Sequence, residues 1–123
     1  MVRTLILGLL MLVPGSVYAQ PTAPAEPQMK CEVGPINRMF GGTPWLVYSC
    51  DDQSSMVVVS APGNPAMPFY FFLKIDSGAY KIIGEGAGVK SKSDAAARDI
   101  QKLQQPDFAA LLAETRRLSP SAR

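Results

Sequence analysis

Short apolar segments alternate with turns through the middle of this chain, and helical patterning is confined to its C-terminal third. The segments with the length and residue types of β-strands are 36–40, 43–50, 56–61, 69–75 and 79–84. Successive strands joined by short turns pair in antiparallel fashion. We therefore predict an α+β fold, an antiparallel β-meander of about five strands with one or two C-terminal helices packed on one face.

The first two predicted strands form a hairpin around Gly41-Gly42, because two glycines supply the positive φ angles of a two-residue turn. Paired residues then have numbers that sum to 83, which leaves Cys31 and Cys50 two positions out of register. Gly34-Pro35 interrupts the first strand, since proline cannot donate a ladder hydrogen bond. We expect a bend or bulge there that brings the two cysteines together.

Helical periodicity begins after Gly88. Ser93 is the predicted N-cap of a first helix that buries a stripe of apolar residues. Pro106 favours the first turn of a second helix that continues to about Leu118. The predicted inner faces comprise Ala96, Ile100 and Leu103 in the first helix and Phe108, Leu111, Leu112 and Thr115 in the second.

The first nineteen residues have the pattern of a secretory signal peptide. Arg3 precedes a leucine-rich run, and small residues stand at −3 and −1 of a cleavage site between Ala19 and Gln20. We expect a periplasmic or secreted protein with no membrane anchor after cleavage. The predicted division is 1–19 signal peptide, 20–28 proline-rich tether, 29–118 one small α+β domain and 119–123 disordered tail.

Cys31 and Cys50 are the only cysteines, and two cysteines in an oxidising compartment are expected to form a disulfide. The chain contains no histidine, so it lacks the usual activator of a serine or cysteine nucleophile and most ligands for zinc or copper. We therefore expect a non-catalytic protein without a metal or other cofactor. A carboxylate pair is the remaining catalytic alternative, drawn from Asp51, Asp52, Asp76 and Glu85.

Two short motifs have part of the pattern of a ligand loop. The glycine-rich segment 84–91 lies between a predicted strand and a helix, but Val89 separates the glycine from the lysine that a phosphate loop needs next to it. Segment 51–55 lacks the spaced acidic ligands of a calcium loop, and we interpret it as a polar turn. The formal net charge is only +2 and basic residues are spread along the chain, which argues against a nucleic-acid partner.

Two loops suit contact with a partner. Loop 61–68 is stiffened by three prolines, and turn 76–80 carries a hydroxyl and an aromatic ring. We predict that one edge formed by both loops binds another protein of the cell envelope or a small ligand. The predicted contact residues are Asn64, Met67, Phe69, Asp76, Ser77 and Tyr80. A carrier of a lipid or metabolite is an alternative, and it would require a cavity between the aromatic sheet face and the helices.

A second alternative comes from two fragments. Tyr48-Ser-Cys-Asp-Asp52 with the apolar strand 56–59 resembles the opening strands of periplasmic lysozyme inhibitors of the small β-barrel type. Ser77-Gly-Ala-Tyr80 is similar to the loop with which those inhibitors enter the lysozyme cleft, although the arginine before the tyrosine is missing. The resemblance implies that Ser77 and Tyr80 would contact a lysozyme.

Overall fold

The computed structural model describes residue 15 and residues 29–76 and 78–118. The predicted signal peptide, the cleavage site at Ala19 and Gln20, the tether, the C-terminal tail and Ser77 lie outside the described residues. Of Asp76, only the backbone is described. No helix among the described residues is long and apolar enough to cross a membrane.

The predicted α+β meander is confirmed. The elements are β1 (Val33–Phe40), β2 (Thr43–Ser49), β3 (Met56–Ser60), β4 (Phe69–Asp76), β5 (Ala79–Gly86), α1 (Lys90–Gln101) and α2 (Gln105–Leu118). The strands form one antiparallel sheet in the order β1-β2-β3-β4-β5. This sheet is open, with β1 and β5 at its edges, and differs from the closed sheet implied by the lysozyme-inhibitor resemblance.

The pairing of β1 with β2 follows the predicted register from the glycine turn back to Ile36. Between Val33 and Ile36 the register shifts, next to Gly34, whose φ is 124°. This irregularity is the predicted bulge, and Cys31 and Cys50 form the expected disulfide beyond it. A mainly apolar core lies between one sheet face and the helices, and its largest fully buried side chains include Trp45, Met56, Leu73 and Ile100.

The predicted start of the first helix is wrong. Helix α1 begins at Lys90, and its N-cap residue, Val89, makes no side-chain capping bond. The Val89 amide donates to the Pro65 carbonyl over 3.0 Å, which fixes the chain on the proline loop, so the N-cap lies four residues earlier than expected. Ser93 lies inside the helix, is buried, and donates its hydroxyl to the Lys90 carbonyl.

Helix α2 has the predicted inner face, with Phe108, Leu111 and Thr115 buried. The Thr115 hydroxyl donates to the Leu112 carbonyl and lies 2.8 Å from the Ser49 hydroxyl in β2. A buried polar pair of this kind is tolerated because both groups have hydrogen-bond partners. Together these contacts hold α2 on the β1–β2 side of the sheet.

The polar segment 51–55 forms a turn between β2 and β3, as expected. The Asp52 carboxylate accepts hydrogen bonds from the backbone amides of Ser54 and Ser55 and from the Ser55 hydroxyl. Partial burial of Asp52 acts to raise its pKa, but these hydrogen bonds outweigh burial and hold the pKa below its usual value.

Candidate functional site

A cleft of about 590 Å³ lies between the β4–β5 part of the sheet and helix α1. Phe69 and Phe71 of β4 contribute to its sheet side, and Ala97 is on its helix side. Pockets that bind small molecules commonly have volumes of roughly 300–1,000 Å³ and apolar or aromatic linings. The cleft is therefore large enough for a small organic molecule.

Glycines on β5 explain why the cleft is empty of side chains. Gly84 pairs with Phe71 and Gly86 pairs with Phe69, so β5 places no side chain beside either phenylalanine, although Phe71 has Val58 beside it on the β3 side. A Cβ atom at Gly84 would lie 3.0 Å from the Phe69 ring and 3.1 Å from the Phe71 ring. The rings thus lean over the glycine backbone, and a larger residue in β5 would disturb the floor of the cleft.

The aromatic floor is continuous with the core. The Phe69 and Phe71 ring centroids are 5.0 Å apart, and the Phe71 centroid lies 5.2 Å from that of Trp45. Trp45 is fully buried, and its indole N–H lies within hydrogen-bond distance of the Phe40 carbonyl and the Thr43 hydroxyl. These hydrogen bonds fix the position of the Trp45 ring, and the two phenyl rings pack against it.

The backbone at the rim approaches loop 61–68 closely. Gly86 has a φ of 149°, and a Cβ there would collide with the Pro68 carbonyl oxygen. Gly88 has a φ of 140°, and a Cβ there would collide with the Ala66 carbonyl. The segment interpreted as a glycine-rich connection between strand and helix therefore requires glycine for conformation and for close packing.

On the helix side of the cleft, the side chains of Ser93 and Ala97 are small. Ala97 leaves space opposite the rings, and the buried Ser93 uses its hydroxyl within α1. Lys90 and Asp94 form an exposed ion pair of 3.0 Å at the rim. These are the only acidic or basic residues among the described lining residues, and they neutralise each other, so the geometry favours a ligand without strong net charge.

The described residues contain no group of three metal-ligating side chains drawn from His, Cys, Asp and Glu. The carboxyl groups of Asp52 and Glu85 are each engaged by hydroxyl donors, Ser55 and Tyr70 respectively. The Tyr70 hydroxyl donates to Glu85 over 2.6 Å, and this hydrogen bond raises the pKa of Tyr70. What the cleft offers chemically is an aromatic patch on its sheet side, bordered by glycine backbone and by polar side chains of α1.

The structure places the predicted contact residues of loop 61–68 in different surroundings. Asn64 is buried, donates its side-chain amide to the Pro44 carbonyl over 2.7 Å, and accepts from the Ala66 amide. These two hydrogen bonds of the buried Asn64 side chain hold the loop in one conformation. Met67 is 45% exposed, and it lines a shallow apolar groove of about 330 Å³ beside Phe69.

Turn 76–80 is at the other end of the molecule from loop 61–68. The two segments flank β4, whose eight residues span roughly 25 Å at about 3.3 Å per residue. They therefore do not form the single edge that the sequence analysis predicts. Tyr80 is half-buried, its ring is stacked on Phe108 at 3.8 Å, and its hydroxyl donates to the Ser54 carbonyl. Burial is the main cause that raises the pKa of Tyr80, and the Asp52 charge adds to it.

Phe69 is a contact residue predicted from the sequence, whereas Phe71, Gly84 and Ala97 are not predicted as parts of the same site. For Phe71 and Gly84, the strand register that follows from the position of the turn gives a sequence signal. Counting outward from the turn at 77–78 pairs Phe71 with Gly84 and Phe69 with Gly86. The position of Ala97 over these pairs has no sequence signal, because it depends on how α1 packs.

Comparisons with protein-family models, with curated proteins and with solved structures return no match to this chain. Its function therefore has to be argued from the cleft and the surfaces themselves.

Proposed function

We propose that this is an exported, non-catalytic binding protein whose cleft takes a small, largely apolar ligand without strong net charge. The ligand lies with a flat or hydrocarbon part on the Phe69 and Phe71 rings and is covered from above by α1. This is the carrier function considered from the sequence, with lipids and apolar metabolites as the candidate classes.

One observation carries the proposal: two adjacent phenyl rings face a cleft of about 590 Å³ because the residues opposite them are glycines. Apolar surface left in contact with water is unfavourable by about 25 cal/mol per Å². Phe71 is only 3% exposed, so a ligand recovers that energy mainly by covering the partly exposed Phe69 ring. The ordered Phe71 and Trp45 rings beneath it limit the entropy lost on binding. The disulfide is compatible with the oxidising compartment that export implies.

The test fills the cleft from its helix side. The full chain is expressed, purified with its disulfide oxidised, and titrated with the neutral apolar dye Nile red while dye fluorescence is recorded. Ala97→Phe places a ring in the cleft, and Ala113→Phe makes the same substitution at an exposed position of α2. We expect Ala97→Phe to weaken dye binding at least about ten-fold and Ala113→Phe to leave it unchanged.

Equal dye affinity in the two variants, with both still folded by circular dichroism, would show that the cleft is not the binding site. Native mass spectrometry of the wild-type protein then identifies any ligand that co-purifies from the expression host. A mature N-terminus at Gln20 in the same preparation is the result expected if the protein is exported.

Contact between loop 61–68 and another protein of the cell envelope is the second candidate function. Met67 is exposed beside Pro68 on a loop that the Asn64 side chain holds in place. A preordered apolar residue loses little entropy on docking. Loss of a captured envelope protein on Met67→Asp, with retention on Lys92→Asp, would favour this candidate, and a lysozyme as the captured protein would support the inhibitor alternative.

A further inference from the structure

The sheet face opposite the helices is uncovered by the residues that the structure describes, and it is apolar at its centre. Tyr48, Val57, Phe72 and Ile83 lie side by side across β2 to β5 through successive cross-strand pairs. We call these four residues the central row. The first three are partly exposed, and Ile83 is 44% exposed.

Charges flank the central row with opposite sign. Lys74 and Lys81 pair with each other two residues along β4 and β5 in one direction. Glu85, paired with Tyr70, lies two residues along in the other direction. At about 3.3 Å per residue, each group is roughly 7 Å from the central row. One side of the row is therefore cationic and the other side is anionic.

This arrangement is self-complementary. A two-fold axis running along the central row would place each of its residues on the same residue of a second copy. The same rotation would bring Lys81 opposite Glu85 of the second copy, and Lys74 opposite its Tyr70. We propose that a second copy of this chain docks on this face, giving a symmetric dimer in which two sheets pack face to face.

The size of the face fits a weak dimer. Five strands spaced by about 4.8 Å and about six residues long cover roughly 500 Å² per copy. Two copies would bury on the order of 1,000 Å², which is near the lower limit for a specific protein interface. We therefore expect dissociation in the micromolar range, with the ion pairs determining the orientation of the two copies.

Charge reversal tests the arrangement. Sedimentation velocity of the full, oxidised protein from about 1 to 500 µM should show a monomer–dimer equilibrium. Lys81→Glu and Glu85→Lys should each weaken dimerisation about ten-fold, since each places like charges opposite one another. The double variant should return to within about three-fold of wild type, and the control Lys92→Glu on α1 should behave as wild type.

A sedimentation coefficient of the monomer over the whole range would overturn the proposal, as would a double variant no better than the weaker single variant. Capture of a different protein by this face in a monomeric chain would also overturn it. Ile83→Asp distinguishes the dimer proposal from the cleft proposal. This variant should abolish the dimer, while the Nile red binding that Ala97→Phe weakens should persist.

Discussion

The hairpins β1–β2 and β4–β5 belong to one sheet but are supported very differently. The disulfide links the two ends of the first hairpin to each other. The Arg38–Glu114 ion pair joins this hairpin to α2, and the Gly41 amide bonded to Asp99 joins it to α1. In β5, no residue is fully buried. Beyond its pairing with β4, its best-defined tertiary contact is the Tyr80 ring on Phe108.

This difference accounts for the position of the cleft. Gly41 packs so closely against Ala95 and Ala96 that a Cβ at that glycine would collide with the helix backbone. Helix α1 is thereby held at the β1–β2 end, and the glycines of β5 leave the other end of the same face unfilled. The molecule has a packed end that supplies stability and an open end that is available for binding.

The largest expected effect is at the boundary between the two ends. Trp45→Ala should lower the free energy of unfolding by about 3–5 kcal/mol, since it empties the packed core. Phe69→Ala, in the half-buried floor of the cleft, should cost only about 1–2 kcal/mol because the ring already borders open space. Urea denaturation of both variants measures the difference, and equal losses would contradict a distinction between the two ends.

Removal of the disulfide is the second test of the packed end. Cys31 and Cys50 are 19 positions apart, and a loop of that length predicts a loss of about 3 kcal/mol for Cys31→Ser with Cys50→Ser. The measurement is urea denaturation of the double variant beside the oxidised wild type. A loss below about 1 kcal/mol would mean that the helices alone secure this hairpin.

A glycine substitution tests the close backbone approach at the rim of the cleft. Gly86→Ala should cost about 1–3 kcal/mol, because its φ of 149° is strained for alanine and the new Cβ meets the Pro68 carbonyl. Gly63→Ala is the matched control, with a φ of 85° but nothing within 4 Å of the new Cβ. Thermal unfolding of both should show the larger loss for Gly86→Ala, and the reverse order would contradict the packing argument.

The smallest expected effect is a dependence on pH at the turn between β2 and β3. The pKa of Asp52 is lower in the folded protein, so its contribution to stability is present above the pKa of the unfolded chain. That contribution is lost as the pH falls through the folded pKa. Asp52→Asn should therefore cost more at about pH 7 than at about pH 2, and at most about 1 kcal/mol because the carboxylate is largely exposed to solvent.

Asp51→Asn is the control for this pH dependence, since Asp51 is exposed beside it. Urea denaturation at the two pH values measures both variants. A cost for Asp52→Asn that stays constant with pH would exclude the charged carboxylate as its origin.

Local patterns predicted most of the fold because they act over a few residues. Gly41-Gly42 predicts the turn and therefore the register as far as Ile36, and the proline at 35 predicts the bulge that precedes it. The start of α1 was not predictable in this way. It is fixed by the bond from Val89 to Pro65, which joins segments that are distant in sequence, so Ser93 became an interior residue rather than a cap.

The α+β class and the order of the strands follow from apolar alternation and turn residues, which act over a few neighbouring positions. The pairing of the cysteines follows because the chain contains only two. Three features are visible only in the folded molecule: Asn64 is buried, loop 61–68 and turn 76–80 are separated by the length of β4, and α1 covers one end of the sheet. These outcomes depend on how helices and loops pack on the sheet. The cleft exists because that packing coincides with the glycines of β5.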